Sequence, residues 1–297
     1  MNRRTFVRSS AVVSAALATS PMLFNSCGKA EPWFQISLAQ WSLHRALQGN
    51  MLDNFEFPVK AKRDFGITAV EYVSSFFGHH EVNPNYLAEL KRITDYHGVT
   101  NVLIMVDGEG ELGALNPERR AEAVENHYKW VDAARFLGCH SIRVNAAGEG
   151  DYDELGRNAV SGLYQLAAYA QKQEISIIVE NHGGLSSNGG WLADVIRTVN
   201  LPNVGTLPDF GNFRISSREE YDRYKGMAEL MPFAKGVSAK SYDFDAAGNE
   251  TSIDFDRMMQ IVKKSGYRGY IGIEYEGSDY TEEEGIMLTK KLLERYL

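Results

Sequence analysis

Three acidic residues stand at the ends of short apolar runs in the second half of the chain. Glu180 closes the run Ile-Ile-Val-Glu, Asp209 follows Thr-Leu-Pro, and Glu274 closes the run Ile-Gly-Ile-Glu. In a barrel of parallel strands every carboxyl end opens onto the same face, so carboxylates that are far apart in the sequence converge there. A cluster of like charges is costly unless it binds a cation or transfers protons. The three residues are therefore candidate metal ligands and acid–base groups.

The rest of the chain indicates which elements must position these residues, because apolar strand-like runs alternate with amphipathic helical runs. The predicted strands are 34–39, 69–73, 101–106, 141–145, 176–180, 204–208, 236–239 and 270–274. The predicted helices are 55–65, 84–96, 117–137, 154–172, 191–199, 218–230, 255–264 and 281–297. Strict alternation of strands and helices predicts an α/β fold, the (β/α)8 or TIM barrel, rather than an open sheet. We expect one such domain over residues 34–297.

Loop lengths indicate which end of this barrel carries the site. The helix-to-strand connections are short and contain glycine, as at Gly66, Gly98 and Gly138, whereas the strand-to-helix connections are longer and polar. Long loops at the carboxyl ends of the strands mark the active face of such a barrel. The three acidic residues are expected on that face.

The N-terminal residues have the pattern of an export signal rather than of a folded element. Arg3 and Arg4 precede an apolar run without acidic residues, and together residues 1–26 resemble a twin-arginine signal peptide. Cys27 follows this run, as does the lipidated cysteine of bacterial lipoproteins, although Phe24 stands where leucine is common. Lipidation at Cys27 and cleavage to a free periplasmic protein are the two alternatives. We expect an exported protein that is periplasmic or anchored to the membrane by a lipid.

Charge and composition narrow the range of partners. The chain of 297 residues carries a net charge of −8, and its hydrophobic content of 44% is that of an ordinary globular protein. An acidic surface repels a phosphate backbone, so we expect no nucleic-acid partner. An oligomer is compatible with the sequence.

The motifs Glu-Asn-His at Glu180, Pro-Asp-Phe-Gly-Asn at Asp209 and Ile-Glu-Tyr-Glu at Glu274 resemble the fifth-, sixth- and eighth-strand motifs of the xylose isomerase-like TIM barrels. This group includes sugar phosphate isomerase/epimerases, ketose 3-epimerases and inosose dehydratases, and the resemblance covers residues 34–297. It implies that the three acids bind one divalent metal, that Glu180 and Glu274 also transfer protons, and that the substrate is a carbohydrate. Oxygen ligands favour Mn²⁺ or Mg²⁺.

The seventh-strand motif departs from this family. It usually reads His-x-Lys with the histidine as a metal ligand, but here Ser238 takes the place of the histidine and Lys240 is kept. Three interpretations follow. The metal is held by the carboxylates and water; or His182, two residues after Glu180 and on the same strand face, supplies the imidazole; or metal binding is lost and Lys240 neutralises the acids.

Further candidate substrate-binding residues stand near the predicted strand ends. They are Trp41, His44, Glu71, Arg143, Asn145, His182 and Lys240. Trp41 can stack on a sugar, or it can belong to the core. Arg143 and Asn145 face the same side of the fourth strand and can bind substrate hydroxyls, or Arg143 can be a counter-ion of Glu180. Glu71, which follows the second predicted β-prone run, resembles a pocket-lining position of the family, and the alternative is a buried salt bridge.

The sequence favours a metal-dependent isomerase or epimerase that acts on an unphosphorylated sugar or keto-sugar through an enediolate. It contains no glycine-rich loop with basic partners that would bind a phosphate. A lyase or dehydratase acting on a keto-sugar or 3-keto-glycoside begins with the same proton abstraction and remains an alternative. A glycoside hydrolase needs only two carboxylates and no metal. A non-catalytic sugar-binding lipoprotein also remains open because Ser238 replaces the histidine.

Overall fold

Eight parallel strands pair in a ring-like order and confirm the predicted (β/α)8 barrel. The computed structural model describes residues 32–297. The strands are β1 Gln35–Ala39, β2 Ala69–Val73, β3 Thr100–Met105, β4 Ser141–Asn145, β5 Ser176–Glu180, β6 Val204–Leu207, β7 Val237–Ser241 and β8 Tyr270–Tyr275. Each lies within two residues of its predicted bounds. The predicted signal peptide and Cys27 lie outside the described residues.

Helices follow the strands and form the outer layer. They are α1 His44–Gln48, α2 Glu56–Phe65, α3 Pro84–His97, α4 Pro117–Leu137, α5 Tyr152–Lys172, α6 Gly189–Val199, α7 Arg223–Leu230, α8 Phe255–Lys264 and α9 Glu282–Glu294. Short 3₁₀ turns occur at Gln40–Leu43, Ser74–Phe77, Gly184–Ser187 and Met231–Phe233. Gly66, Gly98 and Gly138 end α2, α3 and α4 in the left-handed conformation that glycine adopts without strain, which explains the short return loops.

The barrel closes between β6 and β7 through two isolated bridges rather than a continuous ladder. These bridges join Thr206 to Ala234 and Asp209 to Ser238. Pro208 lies between them and cannot donate a backbone hydrogen bond, although its carbonyl accepts one from the Ser238 amide at 3.0 Å. The closure therefore places Asp209 directly beside Ser238.

The prediction that a helix spans residues 218–230 is wrong in its first part. A short hairpin pairs Arg214–Ser216 with Glu219–Glu220, and α7 begins only at Arg223. The Asp222 carboxylate accepts hydrogen bonds from the amides of Tyr224 and Lys225 and caps the helix at that point. The hairpin residues are largely exposed, so they offer no apolar face that could extend α7 towards the N-terminus.

The barrel interior is filled by apolar side chains below the expected active face. Leu103, Met105, Ile178 and Leu207 are buried together there, and a larger apolar layer packs between the strands and the helices. Alternate residues of a strand point to the same side, so Glu180 follows Ile178 into the interior, one step nearer the carboxyl end. Within residues 32–297 no helix has the length and apolar character that crossing a membrane requires.

Candidate active site

The three acidic residues that end apolar runs come together at the carboxyl end of the barrel. Glu180 ends β5, Asp209 lies just beyond β6, and Glu274 lies in β8. Each offers a carboxylate oxygen within 4.8 Å of the other two. Their exposed fractions are 1%, 0% and 5%, so the cluster is shielded from bulk water. We call these three residues the carboxylate cluster.

Burial and the neighbouring positive charges shift the pKa values of the three carboxyl groups in opposite directions. Burial raises the pKa of Glu180 to about 7, although Arg143 opposes the shift, and it raises the pKa of Asp209 to about 7 against the opposing charge of Lys240. Burial would also raise the pKa of Glu274, but the nearby Lys240 ammonium outweighs it and lowers that pKa. A divalent cation would favour the ionised form of all three.

Two buried cations, Arg143 and Lys240, contact the cluster. The Arg143 Nε atom lies 2.8 Å from Glu180 Oε2, although the two atoms are not aligned for a hydrogen bond. The Lys240 Nζ atom lies 3.0 Å from Glu274 Oε1 and 3.0 Å from Glu276 Oε2. The cations compensate part of the negative charge. Arg143 is thus a counter-ion of Glu180, and Lys240 neutralises Glu274 and Glu276.

Two oxygen atoms of the cluster have no hydrogen-bond partner in the described part of the chain. They are Asp209 Oδ2 and Glu180 Oε2, both fully buried. The other Asp209 oxygen, Oδ1, accepts hydrogen bonds from the amides of Gly211 and Asn212, each at 2.8 Å. This fixes the carboxylate and leaves Oδ2 available. Buried oxygen atoms without partners and a set of hard oxygen donors fit a divalent cation such as Mn²⁺ or Mg²⁺.

Ser238 lies within the cluster rather than away from it. Its hydroxyl donates a hydrogen bond to Glu274 Oε2 at 3.2 Å, and its backbone pairs with Asp209. His182 is exposed, and its ring nitrogens are not part of the group within 4.8 Å. The geometry therefore argues against the second of the three interpretations, in which His182 supplies an imidazole. A cation held by the carboxylates and neutralisation of the acids by Lys240 both stay as interpretations.

We expect the substitution Ser238→His to tighten Mn²⁺ or Zn²⁺ binding, because imidazole is a stronger ligand than a hydroxyl for these ions. Calorimetric titration of the metal-free protein with Mn²⁺ or Zn²⁺ measures the change in affinity. The matched variant Ser238→Ala, which removes the hydroxyl without adding a ligand, should not tighten binding. An unchanged affinity in Ser238→His would place residue 238 outside the coordination sphere.

An adjacent cavity of about 350 Å³ opens over the cluster, and we call it the reaction cavity. Its lining includes Trp41, Val73, Met105, Arg143, Asp107, His182, Glu274 and Glu276. The Trp41 indole N–H donates to Glu276 Oε1 at 2.5 Å, and its ring stacks on His44 with 5.0 Å between the ring centroids. Trp41 thus presents an aromatic wall of the kind that sugars stack on. His44 lies behind Trp41, bonded to its carbonyl, and does not line the cavity.

Arg143 and Asn145 meet at a residue that the sequence did not single out. Both side chains donate to Asp107 Oδ1 at 2.7 Å. Asp107 lies two residues after the end of β3. This position after a strand end was the feature of the sequence that could have identified it as a candidate site residue. Asn212 was missed in the same way: its Nδ2 donates to Glu180 Oε1 at 3.1 Å, and its Oδ1 accepts from Lys240 at 3.3 Å.

Glu71 lies deeper than expected. It stands in the middle of β2, not after it, and does not line the reaction cavity. Ser37 Oγ donates to Glu71 Oε1 at 2.6 Å, and a Cβ on Gly272 would come within 2.6 Å of the carboxylate. No salt bridge forms with any described residue, and burial raises the pKa of Glu71 to about 8. Glu71 is therefore a neutral acid in the barrel interior at pH 7.

Stability should fall as pH rises between about 4.5 and 8, partly because of Glu71. In this window the unfolded chain ionises this residue while the folded protein keeps it protonated, so the folded state binds more protons. The loss is at most about 1.4 kcal/mol per pH unit. We expect Glu71→Gln, which keeps the acceptor for Ser37, to flatten the dependence of the thermal midpoint on pH. An unchanged slope would contradict a neutral Glu71.

Comparison with known proteins places these features in a family context. The sequence profile described as xylose isomerase-like TIM barrel matches residues 59–296. A curated relative, the C-glycoside deglycosidase alpha subunit of Arthrobacter globiformis, is 42% identical over 66 residues, which are 21% of this chain and 19% of that protein. The chain thus matches only about a fifth of that relative's length.

Solved structures share the fold at low sequence identity. The IolI protein with a bound zinc atom has a TM-score of 0.67 at 14% identity, covering 89% of this chain and 99% of that one. D-allulose 3-epimerase from Methylomonas sp. has a TM-score of 0.67 at 16% identity, covering 89% and 98%. The 3-keto-D-glucoside 4-epimerase of E. coli has a TM-score of 0.65 at 15% identity, covering 89% and 100%.

Proposed function

Because the chain belongs to the xylose isomerase-like TIM barrel family, we propose that it is a metal-dependent isomerase or epimerase of an unphosphorylated sugar or keto-sugar. The single observation that carries this proposal is the carboxylate cluster, in which Glu180, Asp209 and Glu274 converge and two buried oxygen atoms accept no hydrogen bond from the described residues. The similar structures include two named as sugar epimerases, which supports the reaction class.

In the proposed reaction the two glutamates move a proton at the carbon next to a carbonyl. One carboxylate removes the proton and the other group returns one. Return to the opposite face of the same carbon inverts that stereocentre, whereas return to the former carbonyl carbon, with a hydroxyl proton passing between the two oxygens, moves the carbonyl to the neighbouring carbon. The carboxylate cluster would hold a divalent cation, which when bound would stabilise the negative charge that develops on the substrate oxygens. Asp209 serves as a ligand only, because its Oδ1 is occupied by two backbone amides.

The surrounding residues orient the substrate and the carboxylates. Lys240 and Ser238 hold Glu274 from two directions, so its free orientation is restricted. Arg143 and Asn212 hold Glu180 in the same way. Such support from neighbouring side chains keeps reacting groups in place during proton transfer. Trp41 provides the aromatic face against which a sugar ring can stack.

A lyase is the second candidate, and the partial relative favours it. The matched protein is named a C-glycoside deglycosidase, although the similarity covers 66 residues only. Proton abstraction next to a carbonyl is also the first step in expelling a substituent one carbon further on. The same Glu180 and Glu274 would serve, and the leaving group would need space beside the reacting ring.

Incubation in D₂O tests the proposal. We expect deuterium on the carbon next to the carbonyl of a true substrate, within a panel of free ketoses and keto-glycosides observed by NMR. Deuterium with an intact skeleton identifies isomerisation or epimerisation, whereas deuterium with a released substituent identifies the lyase. Glycosidic cleavage without carbon-bound deuterium, or sugar binding without any exchange in the metal-loaded protein, would contradict the proposal.

Export remains a prediction from residues 1–26 and supports an unphosphorylated substrate, because phosphorylated sugars are scarce outside the cytoplasm. The variant with lysine in place of both Arg3 and Arg4 should stay in the cytoplasm if the twin-arginine route is used. Lipidation at Cys27 stays the alternative to a free periplasmic protein.

A further inference from the structure

A second cavity of about 740 Å³, larger than the reaction cavity, lies next to it. We call it the polar groove. Loops that follow β5, β6 and β7 line it, and the hairpin at residues 214–220 contributes to its wall. Its lining includes His182, Asn212, Arg214, Glu220, Arg223 and Tyr242.

The groove is continuous with the proposed reaction site. His182 lines both cavities. Asn212 lines the groove and donates a hydrogen bond to Glu180 at 3.1 Å, so one residue of the groove contacts the carboxylate cluster. If one ring of a larger ligand lies over the carboxylates, the rest of that ligand can therefore bind in this groove.

The junction between the cavities depends on close packing at one glycine. A Cβ on Gly211 would lie 2.7 Å from the Tyr242 hydroxyl and 2.8 Å from the Lys240 side chain. Glycine at this position allows Tyr242 to stand at the groove while Lys240 reaches Glu274 and Glu276. Tyr242 is half-buried and offers both a ring and a hydroxyl to the groove.

The charges of the groove are balanced and already partly paired. Arg223 donates to Glu220 Oε1 at 3.1 Å and to the Ser252 carbonyl at 3.3 Å. Asp243 accepts hydrogen bonds from the amides of Ser278 and Asp279. By contrast, the exposed Arg214 side chain has no hydrogen bond or ion pair within residues 32–297. Mixed donors and acceptors without an excess of positive charge suit a neutral polyhydroxylated group better than a phosphate.

We infer that the polar groove is a binding subsite for a second glycosyl unit, so that the substrate is a glycoside of disaccharide size rather than a free monosaccharide. This rests on the proposed function, because it places the reacting ring over Glu180 and Glu274. Ligand pockets commonly measure about 300–1,000 Å³. The reaction cavity, at about 350 Å³, is at the small end of that range. The groove, at about 740 Å³, adds more than the volume of the reaction cavity.

Binding measurements on matched sugars test this inference. The probes are the keto-disaccharides lactulose, maltulose and 3-keto-lactose, compared with fructose and 3-keto-galactose, in calorimetric titrations of the Mn²⁺-loaded protein. We expect at least one keto-disaccharide to bind about tenfold more tightly than its matched monosaccharide, the gain expected from one or two hydrogen bonds to charged groups. The substitution Arg214→Ala should remove most of that preference.

A control variant from the same hairpin separates a groove contact from a general effect of charge. Arg218 is exposed and does not line the groove, so Arg218→Ala should leave both affinities as they are. Equal wild-type affinity for both sizes of sugar, or a preference that survives Arg214→Ala, would overturn the inference. Deuterium incorporation into a monosaccharide would then still support the proposed function. Neither binding nor exchange with any probe would overturn the proposed function and the inference with it.

Discussion

Replacing Glu274 by glutamine should lower the rate of hydrogen exchange between substrate and solvent by about 10²–10⁴-fold, the range typical of a lost general acid or base. Glutamine has nearly the same shape. Its single oxygen can face Lys240, which lies 3.0 Å from Glu274 Oε1, while its NH₂ group can donate to the Ser238 hydroxyl, which lies 3.2 Å from Glu274 Oε2. The amide cannot accept the substrate proton. The loss should therefore appear in the rate and not in the fold.

Deuterium incorporation in D₂O, followed by NMR under saturating substrate, measures the effect of this substitution. Glu125→Gln is the matched control because Glu125 is an exposed residue of α4, away from the strand ends. The control should exchange at the wild-type rate, and circular dichroism should be the same for all three proteins. An exchange rate within about threefold of wild type in Glu274→Gln would rule out a proton-transfer role, given the much larger loss expected.

The second substitution with a large expected effect, Asp209→Asn, should act on metal binding. We expect Asp209→Asn to weaken Mn²⁺ binding by at least about 10²-fold, beyond the roughly 10–100-fold typical of losing a group outside the coordination sphere. Asparagine keeps the Oδ1 that accepts hydrogen bonds from Gly211 and Asn212. It replaces the partnerless Oδ2 by an NH₂ group, which cannot bind a cation. The local turn is preserved while the ligand is lost.

A neighbouring acid distinguishes a ligand from a nearby negative charge. Glu276 contacts Lys240 and Trp41 at the mouth of the reaction cavity but is not part of the carboxylate cluster. Glu276→Gln should change Mn²⁺ affinity by less than the roughly 10–100-fold typical of losing a group that contacts a ligand directly, because among the described residues Glu276 is linked to the cluster only through Lys240. Mn²⁺ titrations followed by electron paramagnetic resonance measure both variants. Equal losses in Asp209→Asn and Glu276→Gln would mean that only the overall charge matters.

The barrel and the positions of its strands were predictable because the signals are local and repeated. Apolar runs of strand length alternate with helical runs, and glycines such as Gly66 and Gly98 mark the return loops. The convergence of Glu180, Asp209 and Glu274 followed from the fold, since the carboxyl ends of parallel strands share one face.

The features that were missed depend on contacts between distant parts of the chain. The predicted helix 218–230 included the second strand of the hairpin, and only the Asp222 cap and the exposed strand pairing set where α7 starts. The depth of Glu71 depends on strand register, because Gly272 on a neighbouring part of the barrel leaves the space for its carboxylate. Asp107 becomes part of the site because Arg143 and Asn145, which belong to β4, donate hydrogen bonds to its carboxylate.

An anomalous diffraction map of crystals of the protein grown or soaked with Mn²⁺ would show directly whether the carboxylate cluster binds a cation. We expect a single strong peak bounded by carboxylate oxygens of Glu180, Asp209 and Glu274, with Ser238 adjacent. No imidazole should lie within bonding distance of that peak. A fully occupied Mn²⁺ elsewhere, or a cluster that stays without metal while Lys240 and Arg143 keep their ion pairs, would contradict a metal site at the carboxylate cluster.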